Sequence, residues 1–138
     1  MSSGNQSLQT DMVLIVDNDE QYVERLIDML EDTALDCHYN FAGGFFEALD
    51  IVHREFPVIM ILALQLPGRG GIEVLKELKS LGSTCRVVVI SNDMENNYKE
   101  ECIELGAVHF LDKTLEFEKL PGILKSLLTE KGANKNTV

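Results

Sequence analysis

The sequence predicts an α/β domain, a doubly wound (βα)5 three-layer sandwich around a parallel sheet of strand order 2-1-3-4-5. Strand-like and helix-like segments alternate strictly through five units, which calls for a parallel sheet with helices on both faces. The runs VIMILAL and VVVI are apolar without alternation, as strands covered on both sides must be. Right-handed crossovers prune the remaining topologies to a few, of which this order is the doubly wound one.

Each element has its own signal. MVLIVD (12–17) is β-branched and stops at acids, which predicts the first strand. In the following NDEQYVERLIDMLED, Val23, Leu26, Ile27 and Leu30 form a helical stripe, with Asn18 as the expected N-cap and Gln21 three residues on. LDCHYNFA is a weaker strand. FFEALDIVHREF places Phe45, Ala48, Leu49 and Val52 on one helix face, and Pro57 ends it. VIMILAL is the central strand. GIEVLKELKSLG is the third helix, stopped by Gly82. CRVVVISN is the fourth strand. ENNYKEECIELG is a polar helix with a thin stripe at Tyr98, Cys102 and Leu105. AVHFLDK is the fifth strand, and EKLPGILKSLLTE the last helix, where Pro121 fits only within the first turn.

Composition narrows the function. The chain has 138 residues, 45% of them apolar, enough for one domain with its own core. Its formal charge is −11, from 12 basic and 23 acidic residues. Such a surface repels nucleic-acid phosphates and anionic membranes, so neither is expected as a partner. Cys37, Cys85 and Cys102 are odd in number and widely spaced, which suits reduced thiols in a cytoplasmic protein better than disulfides or zinc. No apolar run reaches spanning length, and MSSGNQSLQT lacks the basic and apolar regions of a leader. Residues 1–11 and 130–138 are expected to be polar, flexible ends around a domain at 12–129.

In doubly wound sheets, ligands bind beyond the carboxyl ends of the strands, where the strand order reverses. Strand 1 ends in Asp17, Asn18 and Asp19. Strand 3 ends in Ala63, Leu64 and Gln65, strand 4 in Ser91, Asn92 and Asp93, and strand 5 in Asp112 and Lys113. Taken singly, the acids suit a helix N-terminus, the serine a cap and the lysine the surface. Together, Asp17, Ser91 and Lys113 converge around Ala63 and suit a phosphoryl group with a magnesium ion. His38, His53 and His109 show no metal-like pairing. The methionines, Phe45 and Phe46 suit packing roles.

The blocks VLIVDND, FPVIMILALQLPGRGGIEVLKEL, RVVVISN and GAVHFLDK resemble the receiver domain of bacterial two-component response regulators, a flavodoxin-like fold, over about residues 12–128. No DNA-binding output domain is expected, and the chain looks like a stand-alone receiver. The resemblance implies that a sensor histidine kinase or other signalling protein is the partner, and that an aspartate at the end of strand 3 accepts the phosphoryl group. That position is Ala63, so no catalytic residue is expected and the chain is not expected to be an enzyme. The resemblance places magnesium at Asp17, Asn18 and the main-chain carbonyl of Gln65. With Asn18 in place of an acid, the ion is expected to be weak or absent. Ser91 and Lys113 match the phosphoryl-binding hydroxyl and lysine, and Phe110 the aromatic that changes rotamer. The proline expected after the lysine is Thr114. Its peptide bond is expected to be trans and to swing Lys113 from its usual aim. The face of helix 4, strand 5 and helix 5, with Tyr98, Lys99, His109 and Phe110, is expected to contact partners or a second copy.

Three functions follow from these residues. The chain is a pseudo-receiver that signals by binding, because a methyl group cannot attack phosphorus. Alternatively, it is a magnesium-dependent aspartyl-phosphate switch whose native aspartate at 63 has been replaced. A flavin- or nucleotide-binding enzyme is the third, but GRGG lacks the spacing of a phosphate-binding loop.

Overall fold

Strands and helices alternate in the computed structural model, which describes residues 10–136. They are β1 (Asp11–Val16), α1 (Glu20–Asp32), β2 (Cys37–Ala42), α2 (Phe45–Glu55), β3 (Ile59–Ala63), α3 (Gly71–Leu81), β4 (Arg86–Ser91), α4 (Tyr98–Glu104), β5 (His109–Asp112) and α5 (Leu120–Asn136). The five strands are parallel and lie in the order β2-β1-β3-β4-β5, as the sequence predicts.

The period of two along each strand divides the core. Val13, Ile15, Ile59, Ile61, Val88 and Ile90 face α1 and α5, packing on Leu26, Leu30, Leu120 and Leu124. Leu14, Val16, Met60, Leu62, Val87 and Val89 face α2, α3 and α4, packing on Ala48, Ile51, Val74, Leu78 and Cys102. Met12 and Met60 are buried in this second layer, whereas Met94 is exposed. Burial pushes the Cys102 thiol up to about 11, so it stays protonated and inert at neutral pH.

Several boundaries differ from the sequence reading. Asp11 already belongs to β1, paired in register with Cys37. The helix α1 is capped by Asp19, not Asn18: the Asp19 carboxylate accepts from Tyr22 N. The polar helix expected at 95–106 is confined to α4, because Asp93 holds the preceding loop. Its Oδ1 accepts from Glu95 N at 3.1 Å and its Oδ2 from Asn96 Nδ2 at 2.6 Å. A 3-10 turn at Phe117–Lys119 leads into α5, whose second residue is Pro121, within the first turn as expected. That helix continues to Asn136, past the domain boundary expected at 129. Of the ends expected at 1–11 and 130–138, residues 1–9 and 137–138 lie outside the described residues. Gly82 closes α3 at φ +67°, a conformation that glycine adopts without strain.

The loop after β3 folds back tightly. Gly71 N donates to Leu64 O at 3.0 Å. A Cβ at Gly71 would lie 2.6 Å from Ala63 O and 2.9 Å from Leu64 Cα, both backbone atoms. We expect Gly71→Ala to destabilise the fold by about 1–3 kcal/mol, as overpacking does. Urea unfolding of the two proteins checks this, and equal midpoints would refute it.

Candidate functional site

The carboxyl ends of β1, β3, β4 and β5 bring the predicted residues to one edge of the sheet. Ala63 ends β3 and is 2% exposed, with its neighbour in register being Ile90 of β4. Asp17 follows β1 and is 3% exposed, and Ser91 ends β4 and is fully buried. These are the two buried polar or charged residues among those described. Two polar side chains kept from water at the same end of a sheet need specific partners.

Asp17 has two. Its Oδ1 accepts from Asp19 N at 3.0 Å, and its Oδ2 lies 2.8 Å from Lys113 Nζ. The contact to Oδ2 is an ion pair. The Lys113 side chain is 12% exposed, and its ammonium also sits 4.6 Å from the centre of the Tyr22 ring. That position combines ion pairing with a cation–π contact.

The Lys113 ammonium is directed at Asp17. No peptide bond among the described residues is cis, so Lys113–Thr114 is trans as expected. The backbone around it is fixed from three sides. Lys113 N donates to Ser91 O at 2.9 Å, Tyr22 Oη donates to Lys113 O at 3.3 Å, and Asp112 Oδ1 accepts from Thr114 N and Leu115 N at 2.9 and 2.7 Å. Glu116 accepts from Asp112 N at 2.8 Å. That backbone bond, with Lys119 beside it, holds the Glu116 carboxyl below its usual range. The turn leaves Leu115 84% exposed.

Sequence reading missed Tyr22. It lies one position before the recognised stripe, and position alone does not say that its ring will roof the Asp17–Lys113 pair. The ring is 4% exposed, meets Phe117 edge-on at 5.5 Å, and has its hydroxyl pushed up by burial and by Asp17.

The Gln65 side chain was missed as well. The sequence reading takes only its main-chain carbonyl, as a metal ligand. In the structure its Nε2 donates to Ser91 Oγ at 3.1 Å and its Oε1 accepts from Asn92 N at 3.3 Å.

A magnesium ion needs hard oxygen ligands with compensating charge. This edge offers one buried carboxylate, Asp17, which a lysine already neutralises. Asn18 is exposed and neutral, Ala63 has no side-chain oxygen, and no group of three or more His, Cys, Asp or Glu is placed to hold an ion among the described residues. Asp19 caps α1 through its Oδ1, and both carboxylate oxygens of Asp93 accept within its own loop. The donor set does not fit a tightly held divalent ion.

The expected partner face is only partly available. Lys99 is exposed, Tyr98 and His109 are half-buried, and Phe110 is 7% exposed. Phe110 points into the layer formed by Val87, Val89, Cys102 and Ala107, so it belongs to the core here and not to the outer face. Its position on a four-residue strand alternates with that of Leu111, which faces α5.

Comparison with known proteins agrees with the geometry. The family model described as "Response regulator receiver domain" matches residues 13–125. The chain is 30% identical to sporulation initiation phosphotransferase F of Bacillus subtilis (strain 168), over 88% of this chain and 96% of that protein. It is 33% identical to the transcriptional regulatory protein CiaR of Streptococcus pneumoniae, over 91% of this chain but only 55% of the relative. Among solved structures it superposes on a CheY-like receiver domain protein of Methanospirillum hungatei with a TM-score of 0.81 at 20% identity, covering 91% of this chain and 99% of the other. The Francisella response regulator 1452 receiver domain gives 0.80 at 20% identity, covering 88% and 98%.

Proposed function

The chain belongs to the response regulator receiver family of two-component signalling, and from that membership we propose that it works as a protein-binding signalling module that carries no aspartyl phosphate. Ala63 supports this reading. A covalent phosphoenzyme needs a nucleophile, and the residue closing β3 in the pocket of Asp17, Ser91 and Lys113 ends in a methyl group.

On this reading the protein is not an enzyme, and magnesium binds weakly or not at all. A sensor histidine kinase or another cytoplasmic signalling protein is the partner, with no role for nucleic acid or membrane. Contact runs through the exposed parts of α4, β5 and α5, Lys99 foremost, and that face also serves a homodimer. No helix among the described residues is long and apolar enough to cross a membrane.

Two measurements test the absence of phosphoryl chemistry. Acetyl phosphate with magnesium is expected to leave the intact mass unchanged. Beryllofluoride with magnesium, which mimics a phosphoryl group on a carboxylate, is expected to leave the melting temperature unchanged. A phosphoryl adduct or a clear stabilisation would overturn the reading.

A second reading is favoured by what the pocket keeps. The buried Asp17–Lys113 pair and buried Ser91 suit an aspartyl-phosphate switch whose native aspartate at 63 has been replaced by alanine. Asn18 and Thr114 favour natural drift instead. The codon at position 63 of the encoding gene decides between the two.

A further inference from the structure

Ser91 has no spare hydrogen-bonding capacity. A hydroxyl offers one proton and two lone pairs. Ser91 Oγ donates to Asp93 O at 3.0 Å and accepts from Asp93 N at 2.9 Å and from Gln65 Nε2 at 3.1 Å. The same Gln65 amide takes the neighbouring main-chain donor, Asn92 N, through its Oε1 at 3.3 Å. One side chain therefore ties the β3–α3 loop to the β4–α4 loop. From Ser91 the bonds continue through Asp93 to Glu95 N and Asn96, just before α4 begins at Tyr98.

We propose that Gln65 is an internal substitute for a ligand at this site: its amide occupies the Ser91 hydroxyl and the Asn92 amide and so holds the 91–97 loop, with α4 behind it, in one arrangement. This rests on the reading of the pocket as one that takes no phosphoryl group. Both contacts are complementary, and the one to Asn92 N imitates an anionic oxygen. A carboxamide oxygen stands where an anionic oxygen would accept from Asn92 N. The carboxamide nitrogen supplies a donor where the hydroxyl, its proton committed to Asp93 O, can only accept. The loop is thereby ordered without a phosphodonor, and the α4 surface it supports does not await one.

Amide exchange measured by NMR on the full chain tests the clamp. Gln65→Ala is expected to speed exchange of Asn92 about tenfold, the loss of one hydrogen bond, and to loosen the 93–97 loop, while amides of β1 and β3 keep their rates. Gln65→Glu retains an acceptor and is expected to keep Asn92 protected. Gln65→Leu fills the space without hydrogen bonds and is expected to behave like alanine. Unchanged exchange in Gln65→Ala would overturn the proposal. So would protection restored by leucine, which would show a packing role, or acceleration spread over all strands. No phosphodonor enters this experiment, so a chain that did take label from acetyl phosphate would overturn the parent reading separately.

Discussion

Ala63→Asp is expected to accept phosphoryl groups from acetyl phosphate where the parent chain accepts none. The substitution places a carboxylate at the end of β3, on the same edge as Lys113 and Ser91. A carboxylate oxygen then forms a bond to phosphorus while the bond from phosphorus to the acetyl oxygen breaks, and acetate leaves with that electron pair. Lys113 stabilises the charge on the transferring group. The reaction should be slow for two reasons. Asn18 leaves the metal site short of one acid, and Gln65 already occupies Ser91. Releasing that contact with Gln65→Ala should speed labelling. The new acid also stands close to Asp17 in a buried setting, so the folded state should lose stability until magnesium is added. Intact mass spectrometry with and without magnesium reads the labelling, and urea unfolding under the same two conditions reads the stability. A variant that keeps its circular dichroism spectrum yet never labels would mean that residue 63 is not the acceptor position, or that Asn18 and Thr114 disable the site by themselves.

Lys113→Met is expected to destabilise the chain by about 3 kcal/mol, at the low end of what removing one partner of a buried ion pair costs. The side chain of Asp17 is 1% exposed and that of Lys113 is 12% exposed, so the carboxylate left behind has little water to turn to. The lost ammonium also removes the nearer of two cations on the Tyr22 ring, leaving Arg25 at 5.7 Å. The paired variant separates charge from packing. Asp17→Asn with Lys113→Met removes both charges, and it should be more stable than Lys113→Met alone. Urea unfolding of the four proteins of this cycle gives the coupling directly. If the double variant is no more stable than Lys113→Met, the loss comes from packing of the lysine stem and not from the stranded carboxylate.

Much of this architecture was legible because it is enforced by burial. The runs at β1, β3 and β4 are apolar throughout, and only a central parallel strand accepts that. Strand order then carried Asp17, Ser91 and Lys113 to one edge without any contact being seen. What was not legible depends on local competition among polar groups. Asn18 and Asp19 are both good caps, and only the backbone entering α1 selects Asp19. A polar stretch such as ENNYKEECIELG suits a helix throughout, but Asp93 captures its first residues in a turn. The backbone at Lys113 and Thr114 is set by the carboxylate of Asp112 and the hydroxyl of Tyr22, contacts that sequence does not reveal. Phe110 sits on a strand of four residues, too short for its alternation to reveal which layer it joins. The Gln65 side chain lies in an exposed loop where many polar residues would look the same.

The sheet order has a consequence for how this chain meets copies of itself during synthesis and folding. The strands most prone to cross-chain pairing, β1, β3 and β4, are flanked on both sides. The two rims are β2 and β5. One is CHYNFA, where polar His38 and Asn40 interrupt the apolar residues and Asn40 uses its own side chain to hold the next amide, Phe41 N, at 2.8 Å. The other is only HFLD. Short or polar rims are poor templates for strand addition. Aggregation by sheet extension is thereby disfavoured once the central strands have docked, and the hazardous interval is the earlier one, when the apolar runs are made but not yet covered.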